Sequence, residues 1–300
     1  MAVMNVSVTG ATGLVGTRLT GTLVAAGHAV HMLGRKRPTS LAPAVEFSEW
    51  ISTQVEPPPG SLATADAVIH LAGEPVAQRW TRDAKDRIRS SRVEGTRRLV
   101  NTLSTQTRRP QVLVSASATG IYGSRGEEIL TESSAPGTDF IARLAVDWEQ
   151  AAARAETLGI RVVLLRLGIV LGPGGALAKM LPAFRMGAGG RLGSGAQWMP
   201  WVHLEDVVGL ILFALENASL RGPVNATAPN PVTNAQFTRA LGAALHRPAI
   251  LPVPRFAIQL LFGEMAGLVL ASQRVIPMAA QNSGYQFQYS DLDAALANLL

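Results

Sequence analysis

Thr9-Gly10-Ala11-Thr12-Gly13-Leu14-Val15-Gly16 is the stretch that decides how this chain folds. An apolar run, Val3 to Thr9, precedes it, and a helix-like segment, Leu14 to Ala26, follows it and closes at Gly27. Strand, glycine loop and helix in that order make the opening unit of a dinucleotide-binding sheet. Gly10 permits the tight turn, Gly13 lets the backbone approach a pyrophosphate, and Gly16 lets helix and strand pack closely. The loop and helix start, from Thr12 and Gly13 to Leu14 and Val15, offer unpaired N–H groups and the positive end of the helix dipole to phosphates.

The second strand, Ala29 to Leu33, selects the nucleotide. An NAD site places an acid about 20 residues beyond the glycines, on the ribose 2′-hydroxyl. This chain has no Asp or Glu before Glu46, and its second strand runs into Gly34-Arg35-Lys36-Arg37. A guanidinium grips a 2′-phosphate that a carboxylate would repel. NADP(H) is therefore the expected cofactor, with Arg35 on the 2′-phosphate.

Further along, strands and helices keep alternating. Asp66 to Gly73 is a buried-type run, Arg82 to Ser104 reads as one long helix, and Val112 to Ser115 as a strand. Asp139 to Leu158 is a helix ending at Gly159, and Arg161 to Leu167 a further apolar strand. Continuous apolar strands between helices mean a parallel sheet covered on both faces. The segment Pro38 to Ser61 has no clear pattern. The expected fold is α/β, a Rossmann-type doubly wound parallel sheet over residues 1–171. A smaller, mostly helical C-terminal lobe for substrate follows over 172–300, with a segment around 198–228 returning to the main domain.

Composition removes several classes. The 300 residues include no cysteine, which excludes a disulfide scaffold and a thiol nucleophile. No metal-ligand spacing joins the five histidines, so no metal is expected. The formal charge is +6, and Arg79 to Arg109 alone holds ten Lys/Arg against three acids, an excess of seven. Those charges alternate with Ile88, Val93, Leu99, Val100 and Leu103 at roughly helical spacing, the pattern of a solvated helix face. With no aromatic interleaving, no nucleic-acid partner is expected. The greasiest stretch, Phe256 to Ala271, is broken by Gln259 and Glu264 and is too short to span a bilayer. The start carries no basic, then apolar, leader. A cytoplasmic protein with no membrane partner, monomer or homodimer, is the expectation.

Several strings, in order along nearly the whole chain, carry a resemblance. They are Leu71-Ala72-Gly73-Glu74-Pro75, Ser90-Ser91-Arg92-Val93-Glu94-Gly95-Thr96, and Ser115-Ala116-Ser117-Ala118-Thr119-Gly120-Ile121-Tyr122-Gly123. Asp147-Trp148-Glu149, Leu165 to Gly172, Trp201 to Asp206 and Ala228 to Val232 complete the set. The chain resembles the extended short-chain dehydrogenase/reductases, the NAD-dependent epimerase/dehydratase superfamily. It is most similar to the epimerase-family branch sometimes labelled as SulA-type cell-division inhibitors.

That resemblance implies a serine, a proton-transferring tyrosine and a lysine four residues later. The three lysines are Lys36, Lys85 and Lys179, and the residues four before them are Met32, Thr81 and Gly175, so the chain has no Tyr-x-x-x-Lys. The family's tyrosine and lysine positions fall near Ile141 and Ala145. Ser117 matches the family serine, and Arg92 stands where asparagine is usual. The resemblance also makes Leu71, Ala72, Gly73, Ser115, Leu167, Gly168 and Val170 cofactor contacts. Catalytic candidates are Ser117, Tyr122, Arg92 and Glu74, each with a blander role beside it: strand end, packing element, basic helix face and loop carboxylate. His70 reads as a core histidine, and His203 with Asp206 as a structural anchor at a helix start. Trp198 and Trp201 either line a substrate pocket or pack the lobe joint. Two functions remain: an NADP-dependent oxidoreductase or epimerase on a small polar or nucleotide-linked substrate, or a non-catalytic NADP(H)-binding redox sensor or interaction protein.

Overall fold

The structure, a computed structural model, describes residues 3–300. Seven parallel strands form its main sheet. In spatial order they are Gly222–Ala226, Arg161–Leu167, Val112–Ala118, Ala67–His70, Asn5–Thr9, Ala29–Gly34 and Val45–Glu49. The chain builds outward from Asn5–Thr9 to one edge, then returns to lay Ala67–His70 on the other side of the first strand. The order therefore reverses between those two strands, and such a switch point opens a crevice at the carboxyl ends. The glycine loop leaves the sheet at this point.

Both faces are buried because the strands are apolar at successive positions. Val112, Val114, Val163 and Leu165 pack with Leu19, Leu23, Val207 and Ile211 on one face. Leu113, Val162 and Leu164 pack with Leu99, Leu103, Ala152 and Ala155 on the other. Each such valine, leucine or isoleucine contributes about 1.5–3 kcal/mol by leaving water. The fold is thus the doubly wound sheet the sequence predicts.

Three local readings change. Pro38 to Ser61 contains an edge strand, Val45–Glu49, which the sequence hides because only Val45 of its five residues is buried. The expected single helix from Arg82 to Ser104 is two, Arg82–Arg89 and Gly95–Thr105, joined by a π-helical turn at Ser90–Glu94. Charge spacing cannot reveal one inserted residue, and π-turns inside helices mark functional sites with unusual frequency. Asp139 to Leu158 is α-helical over Phe140–Ala153, capped by the Asp139 carboxylate on the Ala142 N–H, and ends as a 3-10 turn at Gly159 with φ +79°.

The C-terminal half is mostly helical, and two of its elements reach the sheet. Gly222–Ala226 forms the edge strand beside Arg161–Leu167, and the helix Leu204–Glu216 covers one sheet face. Asp206 ties the tail to that helix: its carboxylate accepts the Gln288 N–H at 2.7 Å and the Tyr289 N–H at 3.0 Å. His203 Nδ1 accepts the Glu205 N–H at 3.1 Å, and its ring stacks on Tyr289. Both residues are anchors, as their position at the helix start implies. Trp201 is buried in the small lobe's own core, whereas Trp198 lies against Arg274 and donates its Nε1–H to Glu127 in the first 171 residues.

Candidate functional site

Gly10 has φ +69°, and a Cβ there would lie 2.6 Å from the Leu71 carbonyl carbon. Only glycine lets the first strand's turn touch the end of its neighbour. A Cβ at Gly16 would fall 2.3 Å from the Gly10 carbonyl oxygen, so the helix leans directly on its own loop. At Gly13 only that oxygen lies near, at 3.3 Å, and the outer side is open. The helix Leu14–Ala25 begins with no side-chain cap and no acid in its first turn. Its first N–H groups are therefore free to receive an anion. The loop fits a dinucleotide pyrophosphate.

Neighbouring elements converge on this loop. Thr9 Oγ1 accepts the Ala72 N–H at 3.2 Å, fixing Leu71-Ala72-Gly73 beside the glycines. Leu14 lies within 3.1–3.4 Å of where Cβ atoms at Gly172, Gly174 and Gly175 would stand, which brings the segment after Leu167 to the same crevice. Leu167 and Val170 are half-buried against the sheet core there. At the far side, Arg35, Lys36 and Arg37 follow the second strand, exposed and without an ion-pair partner among the described residues. Gly168, half-buried in that segment, also meets a packing demand: a Cβ there would lie 2.1 Å from the Pro200 carbonyl oxygen.

His70 ends its strand under the loop, fully buried, with Nδ1 at 2.7 Å from Thr9 Oγ1 and Nε2 at 3.0 Å from Thr96 Oγ1. It is the satisfied core histidine its apolar neighbours imply. Burial first, and the Arg92 charge second, push its pKa from 6.5 down to about 4. The neutral ring is thus favoured in the folded state, so its contribution is fully present above about pH 6.5 and is lost as pH falls toward 4. Between pH 7 and pH 5 this single group should remove about 2 kcal/mol of stability. Urea unfolding at the two pH values measures it, and His70→Gln should flatten that part of the pH slope.

Arg92 and Glu74 meet on the crevice wall. The π-turn turns Arg92 inward, where its guanidinium donates to the Glu74 carbonyl at 2.9 Å, lies over the Trp148 ring at 5.1 Å and backs Gly73. Ser91, in the same turn, accepts the Glu74 N–H at 3.0 Å. Burial, opposed by the Glu74 charge, lowers the Arg92 pKa to about 10, so it stays cationic at neutral pH.

Ser117 and Tyr122 are placed differently from the expectation. Ser117 is 1% exposed and Tyr122 0%. Ser117 Oγ donates to Glu149 Oε1 at 2.6 Å, and Arg166 binds both oxygens of that carboxylate at 2.8 and 2.9 Å. Arg166 also donates to the Tyr122 hydroxyl at 2.9 Å, which donates in turn to Asn225 Oδ1 at 2.7 Å. Strand alternation explains this. Ser117 and Arg166 are register partners whose side chains face the same covering helix, Phe140–Ala153, which carries Glu149. The half-buried residue at that strand end is Ala118. Ser115 is also fully buried, its hydroxyl turned to the Ala116 carbonyl. None of the three hydroxyls is presented to the crevice. Burial pushes the Tyr122 phenol above its ordinary value, against the pull of Arg166. Ile141 and Ala145, at the family's tyrosine and lysine positions, are buried apolar residues.

Sequence reading missed the Glu149–Arg166 pair. Its signal was present: a lone charge inside the apolar run Val162 to Leu167 needs a buried partner.

A doubly wound sheet with an uncapped glycine-loop helix at its switch point defines a dinucleotide-binding protein of the extended type. The family model described as NAD dependent epimerase/dehydratase family matches residues 6–226, and a domain of unknown function (DUF1731) matches 253–299. The chain belongs to that epimerase/dehydratase family. It is 41% identical over 298 residues to epimerase family protein YfhF of Bacillus subtilis (strain 168), covering 99% of this chain and 98% of that one. The crystal structure of human epimerase family protein SDR39U1 (isoform 2) with NADPH matches at TM-score 0.88 and 34% identity, covering 99% of each chain. MoeE5 in complex with UDP-glucuronic acid and NAD matches at TM-score 0.79 and 22% identity, over 98% of this chain and 97% of that one, a likeness of fold alone.

Proposed function

We propose that this chain binds NADP(H) in the crevice and acts as an oxidoreductase or epimerase on a small polar or nucleotide-linked substrate, without a tyrosine–lysine relay. The carrying observation is the open, uncapped helix start at the switch point, with unpaired Arg35 beyond the adjacent strand. The human relative whose structure includes NADPH supports the same cofactor.

In this reading Gly10, Thr12, Gly13, Leu14, Val15 and Gly16 hold the pyrophosphate, and Arg35 takes the 2′-phosphate. Leu71, Ala72, Gly73, Leu167, Gly168 and Val170 flank the nicotinamide half. The cofactor supplies or accepts a hydride. Glu74, 25% exposed beside Gly73 and within 3.7 Å of Arg87, is the acid–base group of that wall. Arg92 fixes the Glu74 backbone and gives that wall a positive charge. Ser117 and Tyr122 act as positioning residues that brace the strand end through Glu149 and Arg166.

A second reading, NADP(H) binding without turnover, is favoured by the apolar Ile141 and Ala145 and by the locked hydroxyls of Ser117 and Tyr122. Hydride exchange from 4-deuterated NADPH to a panel of carbonyl compounds separates the two. Deuterium should appear in product, and Tyr122→Phe should retain the rate within about tenfold, roughly 1.4 kcal/mol of barrier. Glu74→Gln should lose about a hundredfold or more. No transfer to any acceptor under saturating NADPH selects the second reading. A thousandfold loss in folded, NADPH-binding Tyr122→Phe would mean that Tyr122 carries the missing role.

A further inference from the structure

The chain has no Asp or Glu between Glu156 and Glu205, and none between Glu216 and Glu264. These two acid-free segments build most of the small lobe, and they carry most of its exposed large apolar side chains. Met186, Ile250, Leu251, Phe256, Leu260 and Leu261 are each between 58% and 79% exposed. Isolated exposed apolar residues are ordinary, but a set this dense on one lobe marks a contact surface.

The pieces adjoin in space. Val253 N–H donates to the Arg191 carbonyl and Gly193 N–H to the Val253 carbonyl, pairing the segment after Met186 with Ile250 and Leu251. Arg247 reaches the Arg185 carbonyl at 3.1 Å across the same seam. Pro254 then starts the helix Arg255–Phe262, which buries Ile258 and leaves Phe256, Leu260 and Leu261 outward.

Beside Ile250 lies an open groove of ≈ 500 Å³ whose charged lining is Arg191, Arg239 and Arg247. No acid lines it, and none of the three arginines has an ion pair among the described residues. Lys179, Arg185 and Arg255 are likewise exposed and unpaired. Apolar side chains on a short helix, flanked by cations and with the one adjacent acid, Glu264, held by Lys85 at 2.7 Å, are the composition of a surface that lies in a membrane interface.

We propose that this lobe docks on an anionic lipid bilayer, inserting Phe256, Leu260 and Leu261 at headgroup depth, with the three-arginine groove taking lipid phosphate. Charge decides the occupant: a second copy packed on the same patch would set arginine against arginine. No helix among the described residues is long and apolar enough to cross a membrane, so the contact is peripheral. A search of the sequence for spans does not see such a patch, because exposure is a property of the fold. The proposal concerns surface contact alone and goes beyond the expectation of no membrane partner.

Flotation of the full chain with phosphatidylcholine vesicles, with and without phosphatidylglycerol, tests this. Association is expected only with the anionic vesicles, and it should fall steeply as salt rises toward about 0.5 M. Arg239→Glu/Arg247→Glu and Phe256→Ser/Leu260→Ser should each weaken it by about tenfold or more. The salt series on the unaltered chain keeps the test intact if a variant does not fold. The proposal fails if the chain stays with the soluble fraction, if neutral vesicles bind equally, or if folded variants bind as the parent does. It also fails if sedimentation shows a dimer that Phe256→Ser/Leu260→Ser dissociates.

Discussion

Glu149→Ala is expected to lower folding stability by about 3–5 kcal/mol, the cost of leaving a buried partner charge uncompensated. Glu149 is 9% exposed and Arg166 7%, and the carboxylate is the acceptor for Nε and Nη2 of Arg166 and for Ser117. Burial alone would lower the Arg166 pKa, but the hydrogen bonds and charge of Glu149 outweigh it and hold the guanidinium above its ordinary value. Removing Glu149 takes that support away, but a guanidinium does not deprotonate in proteins, so Arg166 is left as a buried charge without its partner. Replacing both partners by apolar residues, as in Glu149→Leu/Arg166→Met, should cost clearly less than Glu149→Ala alone, since no buried charge is then stranded. Denaturant midpoints of the two variants decide it. A single variant within about 1 kcal/mol of the parent would mean that water reaches the network.

Arg35→Glu should cost about a hundredfold in NADPH affinity while leaving NADH affinity within about threefold. Charge-assisted hydrogen bonds to a phosphate contribute about 1.5–3 kcal/mol, and the substitution adds repulsion to their loss. The change is confined to an exposed turn after the strand Ala29–Gly34, so the fold is unaffected. An equal loss for both cofactors would place Arg35 on a part they share.

The sheet was legible because its chemistry is local. Val112 to Val114 and Val162 to Leu165 are apolar at successive positions, which only a strand covered on both faces requires. The glycine loop was legible because each glycine answers a separate steric demand, and a Cβ at Gly10 or Gly16 would collide with backbone. The edge strand Val45–Glu49 was not, since one buried residue leaves no periodicity to read. The direction of side chains at the end of Val112–Ala118 was also out of reach. Motif matching placed Ser117 at the reacting position, whereas pairing with Arg166 turns it toward Glu149. A motif identifies a position along the chain, and the strand's alternation decides which face that position serves. The π-turn that carries Arg92 against Gly73 and Trp148 is the same lesson on a helix.

The central claim is that the crevice between the strands Asn5–Thr9 and Ala67–His70 holds a phosphorylated dinucleotide read by the basic turn at Arg35. Calorimetric titration of the unaltered chain with NADPH and, separately, with NADH tests it most directly. The account predicts saturable one-site binding of NADPH that is tighter than NADH by about tenfold or more, narrowing as salt is raised. Equal affinity for the two, or no binding of either, would contradict it.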